Sequence, residues 1–192
     1  MLDKQMVIKR AEATQGYKKS CPYIFKPPES NFSDLIVIQA AEKVPRTQTE
    51  MHFSASDKQD IAHLWEKISA NVDHLGEEAM ERLFKCHPKT KTYFSHLNLD
   101  HGSAAVRAQG VKVLNAIGHA SKNLDHLGEA LSKLSDLHAQ EMRVDPGNFH
   151  LLCHNILVVL AIHFPDDFTP HAHVAFDKFL VAVSETLYSK YR

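Results

Sequence analysis

Two side chains stand out because each is a polar group on an otherwise apolar helical face. Leu131, Leu134 and His138 follow the i, i+3, i+7 spacing of one face, so His138 is expected on the buried side. An imidazole in such a position is either hydrogen bonded to a backbone carbonyl within the core or bound to a metal ion. The spacing alone leaves both roles open.

Gln109 lies on an apolar face of a second helical stretch. Val106, Val113 and Ile117 share that face, so a single amide projects from an apolar stripe. A glutamine there is either half-exposed at the surface or directed towards a ligand. Together with His138 it matches the requirements of a haem pocket. In such a pocket one helix offers a neutral imidazole to the iron, and another places a hydrogen-bond donor across the flat apolar group.

Composition limits the classes of function. The chain has 192 residues, 44% of them hydrophobic, which suffices for one domain with a core or for one domain plus a tail. A formal net charge of −1 gives no reason to expect nucleic acid or a membrane surface as a partner. The 3 cysteines are odd in number and widely spaced, which favours a reducing, cytoplasmic compartment. Most of the 14 histidines are expected to be ordinary surface residues.

Capping residues mark several helix starts. Ser54–Asp57 resembles a capping box, and Ser103 is a candidate N-cap. Asp145–Pro146 and Thr169–Pro170 each pair an N-cap residue with a proline at the first helical position. A Leu-rich helix is predicted from Leu127 to Gln140, and alternation typical of strands is nowhere sustained. The pattern predicts an all-α domain of six to eight helices.

Residues 1–51 differ from the rest of the chain. No helical face persists there for more than a few turns, and the segment Cys21–Pro28 disfavours helix. One short helix is conceivable near Asp34–Ala41. We therefore predict a poorly ordered N-terminal extension at 1–51 and a helical domain at 52–192. Met51 directly precedes this domain, and we expect translation to start there, so that the extension would be missing from the mature chain.

Six segments carry a family resemblance, in order and without gaps from about His52 to Arg192. They are Lys91–Phe94, His101–Ala104, Leu134–Ala139, Arg143–Pro146, Phe168–Pro170 and Ser189–Arg192. The chain resembles the globin family, and within it the alpha-type chains of vertebrate haemoglobin. The resemblance implies a globin fold around haem b (iron protoporphyrin IX). It also implies oxygen transport by reversible binding of dioxygen, in the cytoplasm of red blood cells and without enzymatic turnover beyond a peroxidase-like side activity.

The resemblance also implies roles for individual residues. His138 matches the proximal iron ligand, Phe94 packs on the haem face, and His96 is a neighbour of a haem propionate. The other positions that match the pocket lining are Tyr93, Val113, Leu134, Leu137, Met142, Val144, Asn148, Phe149, Leu152 and Leu187. The distal position, which carries histidine in most of the family, is Gln109 here. Its amide can still donate a hydrogen bond to dioxygen.

Assembly with beta-type chains into a heterotetramer is implied as well. The positions that match the tight contact are Arg82, His154, Phe168 and His173. Those that match the sliding contact are Lys91, Thr92, Tyr93, Asp145 and Asn148. Haemoglobin is itself the established example of that sliding switch, and two of its groove positions differ here, at Lys89 and Ser95. Tyr191 and Arg192 match the terminal pair whose ion contacts favour the low-affinity state.

Two other classes of function remain open at this point. A globin acting as a peroxidase or as a nitric-oxide-consuming dioxygenase would need an electron supply. The chain has only 7 glycines, and none follows the GxGxxG order of a nucleotide-binding loop. A haem-free helical interaction module is the other alternative, and His138 and Gln109 argue against it.

Overall fold

The computed structural model describes residues 51–191, and seven α-helices account for most of this range. They are α1 (Ala55–Ser69), α2 (Val72–Cys86), α3 (Ala104–Ser121), α4 (Leu127–Ala130), α5 (Ser132–Asp136), α6 (Gly147–His163) and α7 (Pro170–Tyr188). Two 3₁₀ segments, Pro88–Phe94 and Leu124–His126, and a π-helical turn, Leu137–Met142, complete the order. No strand occurs between residues 51 and 191, so the predicted all-α class is confirmed. The predictions for the extension and for a helix at Asp34–Ala41 lie outside the described residues.

The predicted caps begin three of the long helices. Ser54 accepts a hydrogen bond from the Asp57 backbone N–H, and Asp57 accepts one from the Ser54 N–H, both at 3.0 Å. Ser103 and Thr169 cap α3 and α7 in the same way, through hydroxyl oxygens that accept backbone N–H groups. Each cap satisfies a donor that the first helical turn leaves unpaired. None of the described helices is long and apolar enough to cross a membrane.

The predictions for two helices were wrong, one for its continuity and one for its first residue. The segment from Leu127 to Gln140 is three short pieces, because Leu131 leaves helical geometry (φ −103°, ψ 5°) while its side chain enters the core at 2% exposure. Packing here outweighs the helix propensity of a Leu-rich segment. Helix α6 begins at Gly147 rather than at Pro146. The Asp145 carboxylate accepts the Gly147 N–H at 2.9 Å, so Asp145 still caps the first turn.

Helix α7 supplies the centre of the core. Phe176 and Phe179 have no exposed surface, and their rings meet edge to face at a centroid distance of 5.5 Å. Ile61 and Leu64, which lie three residues apart on α1, are equally buried. The i, i+3 spacing thus brings the apolar stripe of α1 into the same core as that of α7.

Helices α2 and α3 cross at a point where both carry glycine. A Cβ atom added to Gly76 would lie 2.6 Å from the carbonyl carbon of Gly110, too close for any side chain. The absence of side chains lets the two backbones touch. This crossing positions α3, and with it Gln109, relative to the rest of the domain.

We predict that Gly110→Ala lowers the free energy of unfolding by about 3 kcal/mol, since the added methyl group meets backbone that cannot yield. Urea unfolding followed by circular dichroism measures the change. Gly128→Ala is the control, because nothing lies within 4 Å of a Cβ atom at Gly128. That variant should change stability by less than about 1 kcal/mol. Equal effects of the two substitutions would contradict the close crossing.

Candidate functional site

His138 lies in the π-helical turn Leu137–Met142, directly after α5. The turn ends at Arg143, whose backbone is left-handed (φ 47°, ψ 42°). A non-glycine residue in this region is strained by about 1 kcal/mol. Wide helical turns and strained residues of this kind are common at functional sites. The chain then turns into α6.

The imidazole of His138 is held in one tautomer. Its Nδ1 lies 2.7 Å from the backbone oxygen of Leu134, one turn earlier. A carbonyl oxygen can only accept, so Nδ1 carries the hydrogen and Nε2 keeps its lone pair. Within residues 51–191, Nε2 has no hydrogen-bond partner. The helical spacing left two roles open for His138, a hydrogen bond to a backbone carbonyl or a bond to a metal ion. The imidazole can fill both roles at once, because they use different nitrogen atoms.

Aromatic contacts fix the plane of the His138 ring. Phe149 on α6 is 5.4 Å away between ring centroids, at an interplanar angle of 51°. Phe149 in turn meets Tyr188 on α7 at 6.1 Å. The histidine is thus supported from both of the last two long helices.

Hydrogen bonds made by Ser135, Lys190 and Tyr191 tie the histidine-bearing segment to the end of the chain. The buried Ser135 hydroxyl donates to the Leu187 carbonyl at 3.0 Å, and Lys190 Nζ lies 2.6 Å from Asp136 Oδ1. Tyr191 donates its hydroxyl hydrogen to the His138 carbonyl at 2.7 Å. Sequence reasoning missed these bonds. The only local signal was Ser135, a hydroxyl beside an apolar face.

The Tyr191 hydroxyl is partly buried beside Tyr93. Burial raises the pKa of this phenol, and the nearby Tyr93 raises it further. A neutral phenol remains able to donate to the His138 carbonyl. Tyr191 was predicted as half of a terminal ion-contact pair, and its partner in that prediction, Arg192, lies outside the described residues.

Gln109 lies on α3 beside a compact apolar cluster. Met80, Leu83, Phe84 and Val106 form this cluster, each at most 4% exposed. Three predicted lining residues, Phe94, Val113 and Leu152, pack against it while remaining only partly buried. Gln109 is itself half-buried. Gln109 follows Val106, a member of this cluster, by three residues on α3, and its role as a site residue stays a prediction.

Most of the predicted lining residues are large and apolar, and yet they are incompletely buried. Leu137 is 37% exposed, and the half-buried members are Tyr93, Phe94, Val113, Leu134, Met142, Val144, Asn148 and Leu152. Phe149 and Leu187 are buried, and His96 is exposed. Phe149 contacts His138 and Leu152 packs on the cluster near Gln109, and these two residues lie three apart on α6. One face of α6 thus connects the histidine side with the glutamine side.

These features suit one class of group. The residues supply an imidazole with a free Nε2, an apolar wall left partly uncovered and the amide of Gln109. Nε2 could hold the metal of a flat and largely apolar macrocycle, and the wall could pack against such a group. The donor set therefore fits haem.

The predicted sliding-contact residues come together in part. The Tyr93 hydroxyl accepts hydrogen bonds from Asn148 Nδ2 at 3.0 Å and from the Asp145 backbone N–H at 3.2 Å. Lys91 and Thr92 are exposed on the same 3₁₀ segment as Tyr93. The start of α6 and this segment therefore form one continuous surface.

The predicted tight-contact residues lie on α2, on α6 and around the start of α7. Arg82 pairs with Glu78 at 2.6 Å, and the rings of Phe168 and His173 are 5.0 Å apart. His154 is exposed. His87 was not among the predicted site residues. Its Nδ1 is buried and has no hydrogen-bond partner within residues 51–191. Burial lowers the pKa of this imidazole, and the nearby His154 lowers it further.

Comparison with known proteins agrees with this geometry. The family model described as Globin matches residues 77–187. The chain is 84% identical to "Hemoglobin subunit alpha-B" of Aquarana catesbeiana over 142 residues, which are 74% of this chain and 100% of that protein. It is 57% identical to "Hemoglobin larval subunit alpha" of Pleurodeles waltl and 56% identical to "Hemoglobin subunit alpha-5" of Xenopus laevis, with the same coverage of both chains.

Proposed function

The chain belongs to the globin family, and from this premise we propose that it transports oxygen as an alpha-type subunit of haemoglobin. It binds dioxygen reversibly at the iron of haem b. The observation that carries the proposal is the His138 imidazole, whose Nδ1 is engaged by Leu134 and whose Nε2 is free.

In this proposal His138 would hold the haem iron through Nε2. When bound, haem supplies an iron atom that takes up and releases dioxygen. The bond from Nδ1 to the Leu134 carbonyl fixes the ring orientation and makes Nε2 a better donor to a metal. Phe149 keeps the ring from tilting, and the Tyr191 hydroxyl holds the backbone of the same residue.

The apolar lining binds the cofactor and excludes water. Covering the partly exposed side chains removes apolar surface from water, which stabilises the complex by about 25 cal/mol per Å². Phe94, Val113, Leu137 and Leu152 contribute most directly, because each presents uncovered apolar surface. The remaining proposed lining residues are Tyr93, Leu134, Met142, Val144, Asn148, Phe149 and Leu187. His96, which is exposed, is the proposed neighbour of a haem propionate.

Gln109 is the distal residue in this proposal. Its half-buried amide can donate one hydrogen bond to dioxygen held in the site. Unlike the imidazole usual at this position, an amide does not become protonated near neutral pH. Because the amide still offers a donor, we expect dioxygen binding to be retained, with affinity or autoxidation altered modestly. The contribution of this hydrogen bond should not depend on pH near neutrality.

The partners proposed are beta-type chains in a heterotetramer. Arg82, His154, Phe168 and His173 are proposed for the tight contact. Val174, which directly follows His173 in sequence, is 67% exposed and could be covered by a partner. Lys91, Thr92, Tyr93, Asp145 and Asn148 are proposed for the sliding contact, supported by the hydrogen bonds that join three of them.

The globin domain is proposed to comprise residues 52–192. The protein is proposed to lie in the cytoplasm of red blood cells. The relatives align over 142 residues, which is their whole length, whereas this chain has 192. Intact-mass measurement of the chain isolated from red cells determines whether residues 1–51 are retained.

Reversible oxygen binding is the direct test of function. The reduced chain with haem should show a Soret band that shifts when oxygen is admitted and returns when oxygen is removed. A haem-free interaction module would show no Soret band. An enzyme would instead show sustained consumption of peroxide or nitric oxide in the presence of a reductant. The absence of a Soret band, or such consumption without a stable and reversible oxygen complex, would contradict oxygen carriage.

The role of Gln109 is tested by the rate of oxygen dissociation from the isolated chain. Gln109→Val removes a neutral hydrogen bond of about 1 kcal/mol, so the rate should rise roughly five-fold. Gln109→His is the matched control, because it restores a donor at the same place. An unchanged rate in Gln109→Val would show that this side chain does not contact dioxygen.

A further inference from the structure

A second group of metal-binding side chains lies outside the proposed haem site. His74 and Glu78 are one turn apart on α2, and His163 is the last residue of α6. One ligand atom from each, a ring nitrogen or a carboxylate oxygen, lies within 4.8 Å of the other two. The i, i+4 spacing places His74 and Glu78 on the same face of α2, next to the end of α6.

The Glu78 carboxylate is already oriented. Its Oε1 accepts two hydrogen bonds from Arg82, at 2.6 and 2.8 Å, while its Oε2 lies 2.6 Å from His163 Nε2. Burial raises the pKa of this carboxyl, but the hydrogen bonds from His163 and Arg82 outweigh burial and lower it overall. Glu78 is therefore ionised at neutral pH, with one oxygen fixed by Arg82 and the other directed at His163.

The two imidazoles are also close to each other. The rings of His74 and His163 meet edge to face, with centroids 5.4 Å apart. His74 is exposed, whereas His163 and Glu78 are half-buried. An ion would thus reach the group from solvent on the His74 side.

We propose that His74, Glu78 and His163 form a surface site for Zn²⁺. Two imidazole nitrogens and one carboxylate oxygen are ligands that this ion takes at about 2.0–2.2 Å, with water completing a tetrahedron. Magnesium and calcium are disfavoured, since both prefer sites made of oxygen atoms. The site is independent of haem and of the oxygen-carrying function.

Binding needs only a small rearrangement. The ligand atoms must draw together around the ion, which a rotation of the exposed His74 ring provides. His163 Nε2 must lose its hydrogen, so this ring takes the Nδ1–H tautomer and its bond to Glu78 is replaced by two bonds to zinc. Arg82 then acts as an outer partner that orients the carboxylate, although its positive charge moderates the affinity.

Zinc at this site would link α2 to the end of α6. An ion that binds the folded chain alone stabilises it by mass action. The unfolding temperature of the wild-type chain should therefore rise with zinc concentration. The unfolding temperature of His74→Gln should rise less.

Calorimetric titration with zinc chloride tests the proposal on the full, carbonmonoxide-bound chain. The wild type should bind one ion per chain at this site, and His74→Gln should weaken that binding roughly ten-fold or more. His119→Gln is the control, because it removes another exposed histidine on a different helix. The control should retain the affinity of the wild type.

Anomalous diffraction at the zinc edge places the ion. A peak bonded to His74, Glu78 and His163 is the expected result, and it would be lost in His74→Gln crystals. Equal zinc affinity in the wild type and in His74→Gln, or a peak elsewhere only, would overturn the proposal. Those results would leave the hydrogen bond between His163 and Glu78, and the ring contact of His74 with His163, without a role in metal binding.

Discussion

The hydrogen bond from His138 Nδ1 to the Leu134 carbonyl is the interaction on which the account rests. It commits the imidazole hydrogen to the protein and leaves Nε2 as a neutral donor atom. The surroundings serve this arrangement, because Phe149 fixes the ring and the tyrosine near the end of the chain holds the backbone of the same residue. Without that carbonyl, either nitrogen could carry the hydrogen and the ring could turn.

The second constraint is the incomplete burial of the apolar wall beside this histidine. Folded chains rarely leave large apolar side chains partly uncovered over a continuous region without a ligand or partner. Here the crossing of α2 and α3 at Gly76 and Gly110 holds one side of the wall, and α6 joins it to the histidine side. The fold therefore leaves apolar surface exposed to water in this region, and a flat apolar cofactor would cover it.

Much of this could be predicted from local sequence, and the rest depends on distant contacts. The caps at Ser54, Ser103 and Thr169 were predicted correctly because a cap is satisfied within its own helical turn. The Leu127–Gln140 helix was predicted wrongly because packing of Leu131 against the core breaks it. The bonds of α5 to the end of the chain, and the grouping of α2 residues with His163, join residues that are at least fifty positions apart. The hydrophobic periodicity within one segment gives no information about contacts between residues so far apart in sequence.

The most direct measurement of the central claim is proton NMR of the deoxygenated, haem-loaded chain. Unpaired electrons on the iron shift the resonances of its axial ligand far outside the normal range, including that of the ring N–H. The account predicts one such exchangeable N–H signal that disappears in His138→Gly. A signal that persists in this variant, or none in the wild type under conditions where the pocket holds haem, would contradict it.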